Sequence, residues 1–351
     1  MSEHFITKIE IKNFKCFENF KAEGFKRVNL IAGKNNVGKT TLLEALYINA
    51  NGSDENWFLN AIFKATRTRD NFFVFNNILS GSIIKFYQTL FTIKSRAIKN
   101  HQLNNSNEIL TNQKKVYFSF TEKFTGLQIN YQLDTNKYKE NVSLATIKDL
   151  FKSDDVLLRT DENVLLSRPI GLNNETINEY YGEVQKLDRE DELNTILNYF
   201  DFNIEKFKIM DKEPKVWIKT LEDYLSITQV GDGVKKLVNI FVSLYRVKDG
   251  LLLLDEIENG IHYSNLDALW RLIINVAEEQ NVQVFATTHS KECIESYARV
   301  AKRLEEEQAV EKDSIAFMEM GRNDENQISS IIYDSEAIYE LSTQNQEIRG
   351  W

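Results

Sequence analysis

Three continuous runs of apolar residues mark the predicted core of the chain. Residues 28–31, 251–254 and 282–287 are apolar at almost every position, which is typical of strands covered on both faces in the centre of a parallel sheet. The first run is followed by a helical pattern over residues 41–48, and the third by a helix that begins after Ser290. Strands that alternate with helices in this way predict an α/β fold with a largely parallel central sheet.

The remaining segments give weaker patterns. An amphipathic helix is predicted to start at Gly231 and Gly233 and to end at Gly250. The alternation in "KVYFSFTEKFTGLQINYQLD" predicts a β-hairpin around Thr125 and Gly126, and "NETINEYYGEVQKLDREDELNTILNYF" predicts mostly helix. Towards the C-terminus we expect a long helix through residues 297–313, then strands near "SIAFMEM" and "ISSIIYD". No heptad run of three or more repeats occurs, which argues against a long coiled-coil arm.

Composition narrows the class of protein. The 351 residues are 42% hydrophobic, enough for one large core or two smaller ones, and the net charge of -9 argues against a protein built mainly to bind nucleic acid. Two cysteines cannot form a disulfide framework or a four-ligand zinc site. Without a signal-peptide pattern or a long apolar run, we expect a cytoplasmic protein that does not span a membrane.

A glycine-rich loop lies between the first strand and its helix. "GKNNVGKT" fits the phosphate-binding pattern G-x-x-x-x-G-K-[ST]. Glycines let backbone N–H groups face an anion, the helix start adds its positive end, and the lysine and the threonine hydroxyl can reach the outer phosphates and Mg²⁺. A plain Gly/Asn turn before a helix is the alternative. The predicted nucleotide-binding residues are Gly33, Lys34, Asn35, Asn36, Val37, Gly38, Lys39, Thr40 and Thr41.

Two acids follow the apolar run 251–254. Carboxylates at the end of a buried strand need a cation or donors, so Asp255 is predicted to bind Mg²⁺ together with Thr40. Glu256 is predicted to act as general base, with Glu258 as the second choice. Two acids that cap a strand in solvent are the alternative. His289 follows the end of another predicted parallel strand, where ligand sites occur, and we predict a catalytic role for it rather than a surface or core role.

These motifs, in this order, resemble the ABC-type ATPase heads of RecF, SMC and OLD-like proteins. The blocks "DEIENGIHYS" and "TTHS" look most like those of single-chain, OLD-like AAA ATPases of prokaryotes. The resemblance covers residues 1–50 and about 215–300. It implies a phosphate-loop head with an N-terminal antiparallel β region. Residues 1–50 and 215–351 would form the head, and residues 51–214 a mixed α/β lid or arm insertion.

The resemblance also implies roles for further residues. "ITKIEIKNFKCFENF" resembles the first strands of such heads and would place Lys15 near the nucleotide. Gly231, Asp232 and Gly233 would act in trans on the γ-phosphate held by another subunit, which implies a homodimer that binds ATP and Mg²⁺. Gly231 stands where ABC transporters have a serine, and no Q-loop glutamine can be assigned. Both departures bear on the rate of hydrolysis.

The insertion carries a local excess of positive charge. Residues 64–115 contain nine basic residues and only two acidic ones, Asp70 and Glu108. This excess of positive charge fits either a solvated lid or a patch that binds nucleic acid or a partner. The basic residues are Lys64, Arg67, Arg69, Lys85, Lys94, Arg96, Lys99, Lys114 and Lys115.

The leading hypothesis is an ATPase engine whose dimerisation controls a separately encoded effector such as a nuclease, plausibly in anti-phage defence. We expect no Toprim nuclease domain in this chain, because little sequence follows His289. A RecF-like DNA repair ATPase and a nucleotide-sensing scaffold with very low turnover are the alternatives. A transporter subunit is disfavoured by the altered signature, and a GTPase by the lack of an N-K-x-D motif.

Overall fold

The computed structural model describes residues 5–53, 55–67, 107–120, 126–133, 136–143, 163–311 and 314–343. In chain order the strands are β1 (Lys8–Phe14), β2 (Phe17–Glu23), β3 (Val28–Gly33), β4 (Asn107–Thr111), β5 (Lys114–Phe120), β6 (Gly126–Leu133), β7 (Asn136–Ser143), β8 (Val164–Ser167), β9 (Ile204–Met210), β10 (Glu213–Ile218), β11 (Asp223–Ser226), β12 (Leu251–Leu254), β13 (Gln283–Thr287), β14 (Ile315–Arg322) and β15 (Ile328–Tyr333). The helices are α1 (Lys39–Ala50), α2 (Glu55–Arg67), α3 (Asn174–Lys186), α4 (Glu190–Phe200), α5 (Asp232–Arg246), α6 (Leu266–Glu279), α7 (Lys291–Glu306) and α8 (Ser335–Thr343), with a 3-10 turn at Tyr263–Asn265.

A mostly parallel sheet forms the centre of the described structure. Its strand order is β15-β14-β3-β13-β12-β8, and only β15 pairs antiparallel. Every residue of β3, β12 and β13 is buried, which confirms the three strands expected from the apolar runs. Because these three strands are adjacent and parallel, their carboxyl ends share one edge of the sheet, where ligands bind in α/β folds.

Two antiparallel sheets complete the β structure of the described residues. One has the order β2-β1-β4-β5-β6-β7, and the other has the order β11-β10-β9. The hairpin predicted around Gly126 is confirmed by the antiparallel pairing of β5 with β6, and the predicted helical segment forms α3 and α4. The expected fold class, α/β with a largely parallel central sheet and an N-terminal antiparallel region, is therefore confirmed.

The central sheet is covered on both faces. On one face α5, α6 and α7 contribute a buried cluster that includes Tyr245, Trp270 and Tyr297. The Tyr297 hydroxyl donates to the carbonyls of Val28 and Ala316, at 3.0 and 2.8 Å, which anchors α7 to β3 and β14. On the other face α1 packs between the central sheet and the N-terminal sheet, in a second cluster of buried apolar residues. The phosphate loop thus sits between two packed layers.

Two predicted boundaries were wrong. Helix α5 ends at Arg246, before Gly250, and a Cβ at Gly250 would lie 2.0 Å from the Asn163 carbonyl oxygen. The glycine is therefore required for close contact with the chain entering β8, and it does not terminate the helix. Helix α7 ends at Glu306 instead of running to residue 313, because Gln308 adopts a left-handed φ of 53°. None of the helices described in the ranges above is long and apolar enough to cross a bilayer.

Candidate nucleotide-binding site

The phosphate loop joins β3 to α1. Gly38 caps α1 with a left-handed φ of 91°, and Asn36 is also left-handed, with φ 64°. A Cβ at Gly33 would lie 2.3 Å from the Met320 carbonyl oxygen, and one at Gly38 would lie 2.8 Å from the Cys16 sulfur. Both positions therefore require glycine for the loop to pack this tightly. The turn directs the N-terminus of α1 towards the space enclosed by the loop.

The side chains of the loop divide into two groups. Lys34, Asn35 and Asn36 are exposed, whereas Val37 and Thr41 are buried in the layer beneath. Val37 and Thr41 can therefore contribute to an anion site only through their backbone N–H groups. This division fits a loop that holds phosphates mainly by its main chain.

Lys39 folds across the loop. Its Nζ donates to the carbonyls of Gly33 at 2.7 Å and Lys34 at 3.0 Å. Burial lowers the pKa of the Lys39 amine, and the nearby carboxylates of Glu258, Asp255 and Glu256 oppose this shift. A cation held on two loop carbonyls next to acids is well placed to turn towards a polyanion at the loop.

Thr40 and Asp255 meet where β3 and β12 end. The Thr40 hydroxyl donates to Asp255 Oδ1 at 3.1 Å, and Asp255 is only 5% exposed. A hydroxyl and a carboxylate oxygen in contact are the hard oxygen ligands that Mg²⁺ takes, with water filling its other positions. These two residues therefore fit the predicted magnesium site.

Thr287, which the sequence analysis did not assign to the site, holds both acids in place. Its hydroxyl donates to Asp255 Oδ1 at 2.7 Å and accepts from the Glu256 backbone N–H at 2.9 Å. Thr287 is the last residue of β13, the parallel neighbour of β12, so the two strand ends meet. The only sequence signal was its position at the end of a buried strand.

The three predicted acid–base residues are arranged unequally. Glu256 has a left-handed φ of 48° and shares a cleft of about 480 Å³ with Thr40 and Asp255. Glu258 instead pairs with His289: its Oε1 lies 3.0 Å from His289 Nδ1 and accepts from the His289 backbone N–H at 2.9 Å. Glu258 therefore orients the histidine, whose side chain is 55% exposed, whereas Glu256 lines the cleft with Thr40 and Asp255.

The end of β8 supplies the wall of this cleft. Ser167 accepts a backbone hydrogen bond from Asp255 at 3.0 Å, and Arg168 follows it into the cleft. Arg168 Nη2 donates to Glu44 Oε1 at 3.2 Å and to the Ala65 carbonyl at 2.7 Å. Arg168 thus lines the same cleft as Asp255 and Glu256 and bonds to the Glu44 carboxylate. It lies in the stretch of sequence where no Q-loop glutamine could be assigned.

Lys15 lies against α1, one helical turn from Thr40. Its Nζ is 2.5 Å from Glu44 Oε2, and the Glu44 side chain is fully buried. The predicted position of Lys15 close to the loop is compatible with this geometry, although the amine is engaged by Glu44. A role in nucleotide binding stays a prediction.

The Gly-rich helix start opens a neighbouring pocket. Gly231 caps α5 with φ 116° and has open space where a Cβ would be, and Asp232 is exposed. Gly233 is packed, since a Cβ there would lie 2.8 Å from the Gly260 carbonyl oxygen. Pro169 and Ile170 line both the pocket that includes Asp232 and the cleft that includes Asp255 and Glu256. The helix start is therefore close to the cleft of its own chain, and action in trans stays a prediction.

Most of the predicted basic stretch lies outside the described residues. Positions 68–106 are not among them, so the patch hypothesis for residues 64–115 stays a prediction. Lys114, at the other end of the stretch, donates from Nζ to the Ala50 carbonyl at 2.5 Å. That lysine has a structural role at the end of α1.

Comparison with known proteins places the chain in a family. Residues 28–295 match the family described as "AAA domain, putative AbiEii toxin, Type IV TA system". An "ATP/GTP phosphatase" of Helicobacter pylori is 27% identical over 335 residues, covering 85% of this chain and 88% of that protein. The DNA replication and repair protein RecF of Bacillus mycoides is 44% identical over 44 residues, which is 12% of each chain.

Solved structures add a distant likeness. The SMC head domain from Thermotoga maritima gives a TM-score of 0.46 at 14% identity, covering 94% of this chain and 99% of that one. An SMC head bound to the C-terminal winged-helix domain of ScpA gives 0.49 at 12% identity, covering 95% and 99%. The family of the chain is shown by the match over residues 28–295. The parallel strand order and the phosphate loop agree with that match. The chain belongs to this AAA domain family, whose match spans both the phosphate loop and the Asp255–Glu256 segment.

Proposed function

We propose that the chain binds ATP with Mg²⁺ and hydrolyses it. The observation that carries this proposal is the junction at Asp255 Oδ1, which accepts hydroxyl hydrogen bonds from both Thr40 and Thr287. This pair of hydrogen bonds brings the phosphate loop next to Asp255 and Glu256 within one cleft. The similarity to an "ATP/GTP phosphatase" supports the same reaction.

Each residue of the site then has a defined task. Backbone N–H groups of the loop hold the phosphates, and Lys39 leaves its two carbonyls to reach the outer ones. Thr40 and Asp255 would hold Mg²⁺, which when bound would neutralise charge on the phosphate oxygens. Glu256 orients the attacking water and takes its proton. His289, oriented by Glu258, faces the developing charge on the γ-phosphate.

We further propose that nucleotide controls association of two heads. In this arrangement the start of α5 closes on ATP held by a neighbouring subunit, and hydrolysis reopens the pair. The exposure of Gly231 and Asp232 at the helix start supports this, because both are accessible to a second chain. The output is control of a separate effector chain, such as a nuclease, in an OLD-like anti-phage system. The toxin–antitoxin wording of the family description is in keeping with a defence role.

Turnover measurements test the proposal. Wild-type protein should hydrolyse ATP only with Mg²⁺, Lys39→Ala should not bind ATP, and Glu256→Gln should bind ATP but hydrolyse it much more slowly. Calorimetry for binding and phosphate release for turnover separate these steps. Wild-type protein that neither binds nor hydrolyses ATP would refute the proposal.

A specific feature favours slow turnover as a second candidate function. Asp232 places an exposed carboxylate at the first turn of α5, where a phosphate in trans would approach. Like charges repel, so closure would be weakened and the chain would act as a nucleotide sensor. Tight ATP binding with turnover slower than nucleotide release would favour the sensor. Strong stimulation by DNA that falls steeply with salt would favour a RecF-like ATPase instead.

A further inference from the structure

Lys236 is a buried lysine next to the acid cluster. It lies on α5 and is 5% exposed, and its Nζ donates to the Glu256 backbone carbonyl at 3.4 Å. Lysine is rarely buried to this extent unless a partner offsets the loss of water. The position of this amine thus calls for a role beyond surface charge.

The surroundings of Lys236 explain why it remains in the interior. Burial lowers the pKa of its amine, and the carboxylates of Glu258, Asp255 and Glu256 oppose that shift. The same three acids act on Lys39 from the side of the phosphate loop. The acid cluster is therefore flanked by two cations, one on the loop and one on α5.

The Glu256 peptide needs external support. Its φ of 48° lies in the left-handed region, which a residue with a side chain occupies at a cost and only where neighbours determine it. Thr287 accepts the Glu256 N–H, and Lys236 donates to the Glu256 carbonyl. The residue is thus held at both ends: β13 binds its N–H, and its carbonyl accepts both the Asn259 N–H of its own turn at 3.1 Å and the Lys236 amine from α5.

We propose that Lys236 is a positioning residue, which fixes the Glu256 backbone so that its carboxylate meets the attacking water. This inference rests on the proposed role of Glu256 as general base. It also gives α5 a second task. Gly231 and Asp232 stand one turn before Lys236 on the same helix, so a neighbour that engages the helix start acts on the Glu256 carbonyl of the chain it touches.

Lys236→Met tests the proposal, because methionine keeps the length of the side chain and removes the ammonium. Steady-state ATPase assays should show kcat lowered roughly 10- to 100-fold, the effect of a misplaced catalytic group. KM should stay within about two-fold, because phosphate binding does not involve this amine. Lys236→Arg, which restores a cationic donor, should recover most of the rate. Lys248→Met, at an exposed position just after the end of α5, is the control and should behave as wild type.

A double-mutant cycle separates positioning from general stability. If Lys236 acts through Glu256, then Lys236→Met should cost nothing further in a Glu256→Gln background. Lys236→Gln gives a second neutral variant with the same expected loss of kcat, should the methionine protein fail to fold. Unchanged kcat in the neutral variants, or an equal further loss in the Glu256→Gln background, would overturn the inference. The ATPase activity of the wild-type protein is measured before any variant is compared. A wild-type protein without ATPase activity would overturn the proposed function as well.

Discussion

Replacing Thr287 by valine removes the hydroxyl that connects Asp255, the proposed metal ligand, to Glu256, the proposed general base. The hydroxyl donates to the buried Asp255 carboxylate at 2.7 Å and accepts from the Glu256 N–H at 2.9 Å. A hydrogen bond to a charged group contributes roughly 1.5–3 kcal/mol and a neutral one about 1 kcal/mol, so we expect a loss of about 2–4 kcal/mol in the free energy of unfolding. Residues that orient metal ligands typically change metal affinity or activity by about 10- to 100-fold, and we expect a loss in that range.

Two measurements check this expectation. Urea unfolding gives the stability loss, and ATPase rates titrated with Mg²⁺ at saturating ATP give the metal dependence. Thr287→Ser keeps the hydroxyl and should retain near wild-type metal dependence, which makes it the control. A Thr287→Val protein with the Mg²⁺ requirement and kcat of wild type would refute the role assigned to the hydroxyl.

The remaining predictions concern the loop, the base and the interface. Lys39→Ala should abolish ATP binding in a folded protein, and near-native affinity by calorimetry would contradict the phosphate-loop assignment. Glu256→Gln should bind ATP but lower turnover by roughly 10²–10⁴-fold, the usual worth of a general base, and wild-type rates would exclude it as the base. Asp232→Trp, which puts a bulky neutral side chain at the exposed helix start, tests action in trans better than a change at Gly233, which packs on the Gly260 carbonyl of its own chain. Alone it should bind ATP, fail to close and hydrolyse little. Mixed with Lys39→Ala protein, it should recover partial ATPase activity, and no recovery in dimers confirmed by light scattering would count against a shared site.

Local sequence patterns predicted the frame of the site. The apolar runs define β3, β12 and β13 because a strand buried on both faces has few polar positions to confuse the pattern. Gly33 and Gly38 identify the loop because the backbone there leaves no room for a Cβ. The apolar runs and the glycine spacing both involve residues that are close together in the chain. They can therefore be recognised without knowledge of tertiary contacts.

Three site residues could not be found in this way. Thr287 gains its role only from the pairing of β13 with β12, and Arg168 follows a four-residue strand inside a region without motifs. Lys236 is one of two adjacent lysines on an amphipathic helix and would be taken for a solvent-facing residue. Its burial results from the acid-bearing loop after β12 that covers it. In each case contacts between distant segments decide the role.

The buried Glu44 carboxylate has a consequence for motion within the head. It bonds Lys15 from the turn between β1 and β2 and Arg168 from the end of β8, and Arg168 also holds the Ala65 carbonyl of α2. Shifting the β1–β2 turn away from α1 would break an ion pair of a carboxylate that has no access to water, which is costly. Shifting α2 would break the hydrogen bond that Arg168 donates to the Ala65 carbonyl. Three segments, the β1–β2 turn, the end of β8 and α2, are thus tied to the helix that starts at the phosphate loop. Helix α2 is therefore expected to follow any movement of α1 and the phosphate loop, because Arg168 bonds both α2 and the Glu44 carboxylate of α1.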